Sequence, residues 1–221
     1  MFVKQVLLRG PPGSGKSTFA KLLAAQLSRA KILSSGNLLR KHFQSHPVGS
    51  QTIHDGGHAD SELVLNLMYK QYATSVSNGA QLLLLDGFPR KLDELTSWIR
   101  VTNTPSLVVY FEQSEQEIVD KLTNRWICGK CNAVYNMYAN ERIRPVAPKV
   151  HMICDACNIP LFQRQDDAET VIRGRLALHR DSEEAILRYL SETIEPGRII
   201  HLSSGRARDQ IAAVAKVLES T

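Results

Sequence analysis

Gly10-Pro11-Pro12-Gly13-Ser14-Gly15-Lys16-Ser17-Thr18 decides the fold. It has the spacing G-x-x-x-x-G-K-[ST], in which glycines let backbone N–H groups turn inward onto phosphate oxygens. The Lys reaches the β/γ-phosphates and the hydroxyl meets magnesium. The flanks agree with it. Upstream, Phe2 to Leu8 reads as a short buried strand; downstream, Phe19, Leu22, Leu23 and Leu27 recur at helical spacing. Strand, glycine loop and helix follow one another in the order a phosphate-binding loop requires.

Outward from this loop, a chain of 221 residues accommodates one α/β core and a small insert, and is too short for two full-sized domains. A hydrophobic fraction of 43% is ordinary for a globular protein, and no apolar run reaches the length of a membrane span. With no secretory signal in the first residues, a cytoplasmic location is the expectation. The net charge of +5 is carried by scattered basic residues, which suits anionic small molecules as well as nucleic acid.

Further along, Ser34-Ser35-Gly36-Asn37-Leu38-Leu39-Arg40 follows a short apolar step at Lys31 to Leu33 and reads as a helix opening. From Phe43 to Ala59 the chain turns polar, and the expectation is a mobile segment outside the core. An amphipathic helix runs from Asp60 to about Ser77. Gln81 to Leu85 is a strand that stops at Asp86-Gly87-Phe88-Pro89-Arg90. An acid at the carboxyl end of a buried parallel strand lies where open α/β sheets bind ligands; Asp86 fits either a magnesium-shell role or a helix N-cap. Leu92 to Ile99 is a helix, Leu107 to Phe111 a strand, and Glu115 to Arg125 a helix. After residue 163, one helix is expected from Arg164 to about His179 and a second from Asp181 to Thr193. Arg198 to Leu202 is a last strand and Asp209 to Leu218 a closing helix. Strands alternating with helices predict a parallel sheet covered on both faces, an α/β three-layer fold.

Trp126 to Gln163 differs in texture. Cys128-Gly129-Lys130-Cys131 and Cys154-Asp155-Ala156-Cys157 bracket an irregular stretch holding Pro145 and Pro148. Two such pairs supply four thiolates for a closed tetrahedral zinc site, which predicts a structural metal. A redox C-x-x-C needs a helix after one pair, and neither pair has one.

The succession of phosphate loop, S-S-G-N-L-L-R, L-L-D-G-F-P-R, cysteine-bearing insert and R-Q-D-D-x-E resembles the nucleoside monophosphate kinases, in particular the adenylate kinases with a long zinc-bearing lid. The resemblance covers essentially the whole chain. It implies a P-loop core over residues 1–33, 63–125 and 164–221, a monophosphate-binding insert over 34–62 and a zinc lid over 126–163. It implies magnesium-dependent phosphoryl transfer between ATP and AMP, a monomeric enzyme binding nucleotides, and no membrane partner.

The residues carried over are these. Gly13, Ser14, Gly15, Lys16, Ser17, Thr18, Lys121, Arg125 and Arg206 fall on ATP-binding positions. Ser35, Arg40, His58, Ala59, Gly87, Arg90, Glu94, Arg164 and Arg175 fall on AMP-binding positions. Lys16, Asp86, Arg90, Arg125, Arg164 and Arg175 take the catalytic ones, and Cys128, Cys131, Cys154 and Cys157 the metal. Such a reaction needs positioned cations rather than a covalent catalyst, and arginine suits bidentate phosphate contact. Asp166 and Asp167 resemble hinge acids that pair with those arginines.

The chain departs from the family at informative places. Asn37 replaces an acid that supports magnesium in relatives, which shifts weight to Asp86. Ser35 replaces a Thr, and Lys121 an Arg beside the ATP base. Glu94 stands where a Gln reads adenine; a carboxylate can accept from the N6 amino group but cannot donate to N1. His58 and Ala59 stand at an apolar clasp. Two alternatives accompany the leading reading: the same mechanism with CMP or UMP as acceptor, and a P-loop switch whose zinc lobe binds nucleic acid through Lys130, Tyr135, Tyr138, Arg142, Arg144 and Lys149.

Overall fold

The computed structural model describes residues 3–46, 57, 59–139, 145–203 and 207–219. Its first sheet holds five parallel strands: β1 (Lys4–Arg9), β2 (Ala30–Ser34), β3 (Leu82–Asp86), β4 (Leu107–Phe111) and, at the far edge, Ile199–Leu202, in the order β2-β3-β1-β4-edge. The strand that feeds the phosphate loop is therefore central.

Period-two alternation explains why this sheet is covered twice. On one face Leu7, Leu83, Leu85 and Val108 join a core with Met68, Leu95, Trp98, Ile186 and Leu190. On the other, Val6, Leu8, Leu84, Val109 and Phe111 pack with Phe19, Leu23, Ile211 and Val214. The first face is covered by α2 (Ser35–Ser45), α3 (Ser61–Ser77), α4 (Leu92–Val101) and α6 (Glu169–Thr193); the second by α1 (Lys16–Gln26) and α7 (Ala207–Glu219). α5 (Glu115–Thr123) packs Ile118, Val119 and Leu122 on Ile172 and Leu176 of α6. Burial in the first core reaches into the sheet itself: Trp98 donates from Nε1 to Gln5 Oε1 at 2.7 Å, which satisfies a buried polar side chain near the start of β1.

Helix ends follow local chemistry. Asp60 caps α3 by accepting from the Leu63 N–H at 2.9 Å, and Ser114 caps α5 by accepting from the Glu117 N–H at 3.3 Å.

Four expectations are corrected. The predicted pair of helices after residue 163 is one continuous helix, α6. Asp181-Ser182 does not restart it, because the Ser182 hydroxyl donates back to the Leu178 and His179 carbonyls at 3.1 and 3.2 Å instead of capping a new N-terminus. Phe43 to Ser45, expected in the mobile segment, belong to α2, and Phe43 packs against the core; residues 47–56 and 58 of that expected segment lie outside the described residues. Arg125, assigned above to the end of α5, opens a strand. And the cysteine stretch is not irregular throughout: β5 (Arg125–Cys128) pairs antiparallel with β6 (Val134–Asn136) and β7 (Leu161–Phe162) in a second, three-stranded sheet. The edge strand Ile199–Leu202 of the first sheet is β8 in chain order.

Candidate active site

The phosphate loop leaves β1 and enters α1 in a conformation that only glycine allows at two places. Gly10 has φ +124°, and a Cβ there would lie 2.5 Å from the Phe111 carbonyl oxygen. Gly13 has φ +82°, and a Cβ would strike Leu122 at 2.8 Å. Strand β4 and helix α5 thus press directly on the loop. Lys16 folds back over it, donating from Nζ to the Gly10 and Pro11 carbonyls at 2.7 and 2.6 Å and to Ser14 Oγ at 3.2 Å. Those acceptors are groups a bound phosphate competes with. Burial, with smaller contributions from Arg9 and Arg90 set against Asp86, lowers its ammonium to about 7.

Asp86 ends β3, which lies beside β1 with Leu8 opposite Asp86. Its carboxylate accepts from Ser17 Oγ at 2.6 Å. The magnesium-shell reading of Asp86 and the loop hydroxyl therefore rests on two groups already in contact, and Asp86 is not used as a helix cap. After Asp86, Gly87 turns at φ +69°; its carbonyl accepts from Ser35 Oγ at 2.5 Å and from Arg90 Nε at 3.1 Å. Ser35 and Arg90, both predicted for the acceptor side, are brought to one carbonyl.

The arginines converge. Arg125 holds Asp167 through two hydrogen bonds, Nε to Oδ2 at 2.9 Å and Nη2 to Oδ1 at 2.5 Å. Arg175 Nη1 reaches Asp166 Oδ2 at 3.0 Å. The pairs expected of the two acids are present, one to each. Arg40, Arg90, Arg164 and Arg175 all lie below the ordinary arginine value, desolvation being the largest cause in each. Mutual repulsion comes next or close behind: Arg164, lowered to about 10, feels Arg40 and Arg125, and Arg90 feels Arg175. Arginines from elements distant in sequence thus lie close enough to feel one another's charge, an arrangement prepared for anions.

Two departures read from sequence acquire a structural account. Asn37 has a partner of its own. It is exposed on α2, and its Oδ1 accepts from Arg40 Nη2 at 2.6 Å, so it aims an arginine without neutralising it. Glu94 is buried, and its Oε2 accepts from the backbone N–H of Arg90, two residues before the helix begins, at 2.7 Å. Burial raises its carboxyl above the usual range. Glu94 therefore braces the Pro89-Arg90 turn, a role the comparison with Gln did not foresee. Lys121 sits in the last turn of α5, where its carbonyl accepts from Asn136 Nδ2 at 2.6 Å, and Ala59 is half-buried against the core. His58 and Arg206 lie outside the described residues, as do Arg142 and Arg144.

Missed from sequence was Arg9, the last residue of β1, with Glu183 on α6. Both are buried, and both look in the sequence like solvated charges at element ends. The only available signal was that Arg9 continues an otherwise apolar strand straight into the loop.

The cysteine lobe is built from two knuckles of the same design. The Asn132 N–H donates to the Cys128 carbonyl at 3.0 Å and the Asn158 N–H to the Cys154 carbonyl at 2.9 Å. Each Asn is in the left-handed region, at φ 56° and 53°. Asn tolerates that conformation, so C-x-x-C-N repeated twice was the sequence signal for the turn. All four Sγ atoms lie within 4.8 Å of one another. A tetrahedral zinc at about 2.3 Å from each sulfur sets its sulfurs roughly 3.8 Å apart, so this donor set fits the metal. Tyr135 donates from Oη to Cys154 Sγ at 3.6 Å and accepts from the Asp155 N–H at 2.8 Å. Tyr138 Oη donates to Asp120 Oδ2 at 2.8 Å. The two aromatics that a nucleic-acid surface would use are engaged within the fold.

A five-stranded parallel sheet with a glycine loop at the end of its central strand, and a cationic cleft above it, defines a P-loop nucleotide-binding enzyme. The sequence profile of the adenylate kinase family matches residues 8–195. Proteins named adenylate kinase are similar along most of the chain. That of Clostridium kluyveri is 29% identical over 225 residues, covering 96% of this chain and all of its own. Those of Petrotoga mobilis and a Hydrogenobaculum species are 31% and 32% identical over 192 residues, covering 84% and 83% of this chain and 84% and 86% of theirs. The chain belongs to the adenylate kinase family, within the nucleoside monophosphate kinases.

Proposed function

We propose that this chain catalyses reversible transfer of the γ-phosphoryl group of ATP to AMP, giving two ADP. The observation that carries the reading is the convergence of Arg40, Arg90, Arg125, Arg164 and Arg175 with Lys16, where among the described residues Asp166 and Asp167 ion-pair with Arg175 and Arg125 and Asp86 lies near Lys16 and Arg90. Two polyanions brought end to end repel, and a basin of fixed guanidinium groups offsets that repulsion and stabilises the charge spread over the transferring group. Lys16 trades its loop carbonyls for the donor's β/γ-phosphates. Arg90, braced by Gly87 and Glu94, orients the acceptor phosphate. Ser17 and Asp86 would hold magnesium directly or through its waters, and the ion supplies charge neutralisation on the donor phosphates.

In this reading residues 1–33, 63–125 and 164–221 form the P-loop core, 34–62 the acceptor insert, and 126–163 a lid stapled by zinc at Cys128, Cys131, Cys154 and Cys157. Four thiolates leave no open position, so that metal is structural. Among the described residues no helix is long and apolar enough to cross a membrane; the enzyme acts as a monomer in the cytoplasm.

The test is an assay of AMP, CMP, UMP and GMP side by side with magnesium-ATP. AMP is expected to give the highest kcat/KM, and a chain that prefers CMP or UMP overturns the acceptor while leaving the mechanism.

A further inference from the structure

At the mouth of β1, one residue before the phosphate loop, the Arg9 side chain points into the interior and spends every edge of its guanidinium. Nε donates to Glu183 Oε1 at 3.3 Å, Nη2 to Glu183 Oε2, and Nη1 to the carbonyl of Pro89. The side chains of Arg9 and Glu183 are 6% and 7% exposed. On its other side Glu183 faces His179 Nδ1 at 3.4 Å, one helical turn back along α6.

The three segments joined in this way are those that carry the cations of the cleft. Arg9 is followed by Gly10, whose carbonyl holds Lys16. Pro89 is followed by Arg90. Glu183 lies two turns beyond Arg175 on the same unbroken helix. None of the three is fixed to the others by strand pairing at this point. Burying an arginine and a glutamate together is a poor way to gain stability, since their desolvation cancels most of their attraction, and apolar residues of similar size commonly do as well or better. What a fully engaged guanidinium fork provides is geometry.

We propose that Arg9 and Glu183 are positioning residues for phosphoryl transfer, setting the distance between the phosphate loop, the Arg90 turn and the helix that bears Arg175. The inference rests on the reaction proposed above. Its electrostatic side is consistent: Lys16 and Arg90, each lowered chiefly by burial, both register the charge of Arg9 among their neighbours.

The test is the double variant Arg9→Leu/Glu183→Leu beside Arg9→Lys, measured for kcat, for KM of each nucleotide and for Tm. The double variant removes both charges together and leaves neither orphaned, so its melting temperature is expected to stay near or above that of the parent. Its kcat is expected to fall about 10- to 100-fold, with each KM within about threefold, because small displacements of catalytic groups weaken the transition state more than the ground state. Arg9→Lys keeps the charge and loses the fork, and is expected to lose kcat about 10-fold. A double variant that turns over like the parent, or, should it fail to fold, an Arg9→Lys enzyme with parental kcat, overturns the proposal and leaves the pair a structural one. The parent enzyme in the same assay reports separately on the reaction. If it prefers another monophosphate, that acceptor is used for the comparison; if it transfers to none, the reaction and this inference fall together, whereas parental activity with unchanged variants sinks the inference alone.

Discussion

The cysteine lobe and the arginine cleft both gather like groups from distant parts of the chain, and they do so in opposite ways. In the lobe, two knuckles of matching geometry bring four sulfurs within 4.8 Å, with Tyr135 turned inward to donate to one of them. Everything there is directed at one point inside. In the cleft, Arg125 and Arg175 have acid partners, whereas Arg90 and Arg164, half-buried, and Arg40, exposed, each feel the repulsion of neighbouring arginines. On the function proposed above, the contrast separates a site that a resident ion would complete from one that substrates complete as they come and go. The first kind contributes to folding and the second contributes to turnover.

That contrast can be broken by experiment. Lys16→Ala is expected to lower kcat by roughly three orders of magnitude or more while leaving Tm nearly unchanged, since it deletes a cation aimed at the transferring phosphates. Near-normal turnover would remove Lys16 from its role. Arg164→Ala should cost about 10²-fold in kcat/KM, whereas Arg173→Ala, whose guanidinium pairs with Glu169 on the exposed face of α6, should change neither kcat nor KM measurably. Equal losses in the two variants would mean that net charge, not placement, is what the cleft supplies. For the lobe, chelation or Cys157→Ser should lower Tm by several degrees and render the cysteines reactive to a thiol reagent, while the far-UV circular dichroism of the core persists. Zinc release without any change in Tm would contradict a structural metal.

The smallest expected effect concerns protons. Lys16 sits at about 7 in the free protein, against 10.5 for an unhindered lysine. The unfolded chain therefore binds more protons between these values, and this group makes the free protein more stable as pH rises through that window. Phosphates restore the charge, so binding of magnesium-ATP near pH 8.5 should take up close to one proton, measurable by calorimetry in buffers of different ionisation heat. Uptake that survives in Lys16→Met would assign the proton elsewhere.

How much of this was legible in the sequence depends on the range of the physics involved. Gly10 to Thr18, the leucine run of β3, the apolar run of β4, and Asp86 at a strand end are local signals, and each element stands within a residue or two of its expected place. Three classes of feature were not legible. The strands of the cysteine lobe are two to four residues long and have too few positions for alternation to register. Ser182 could cap or back-bond, and the neighbours that decide are set by packing of α6 on the core. Arg9 and Glu183 are 174 positions apart, so nothing local could announce that each is buried by the other. In the site, residue types were legible and their partners were not. Glu94 was recognised as a departure, but its hydrogen bond to the Arg90 N–H is a product of the turn between them.

The base of the cysteine lobe has an architectural consequence. The chain departs along β5 from Arg125 and returns along β7 at Leu161–Phe162, its immediate neighbour, and Gln163 Nε2 donates back to the Thr123 carbonyl at 2.8 Å. Departure and return are side by side, so the lobe enters and leaves the rest of the chain at one place. A short hairpin could bridge the same gap without stretching α5 or α6, and dependence on a metal could be gained or lost by exchanging one insertion while the engine beneath it stays as it is.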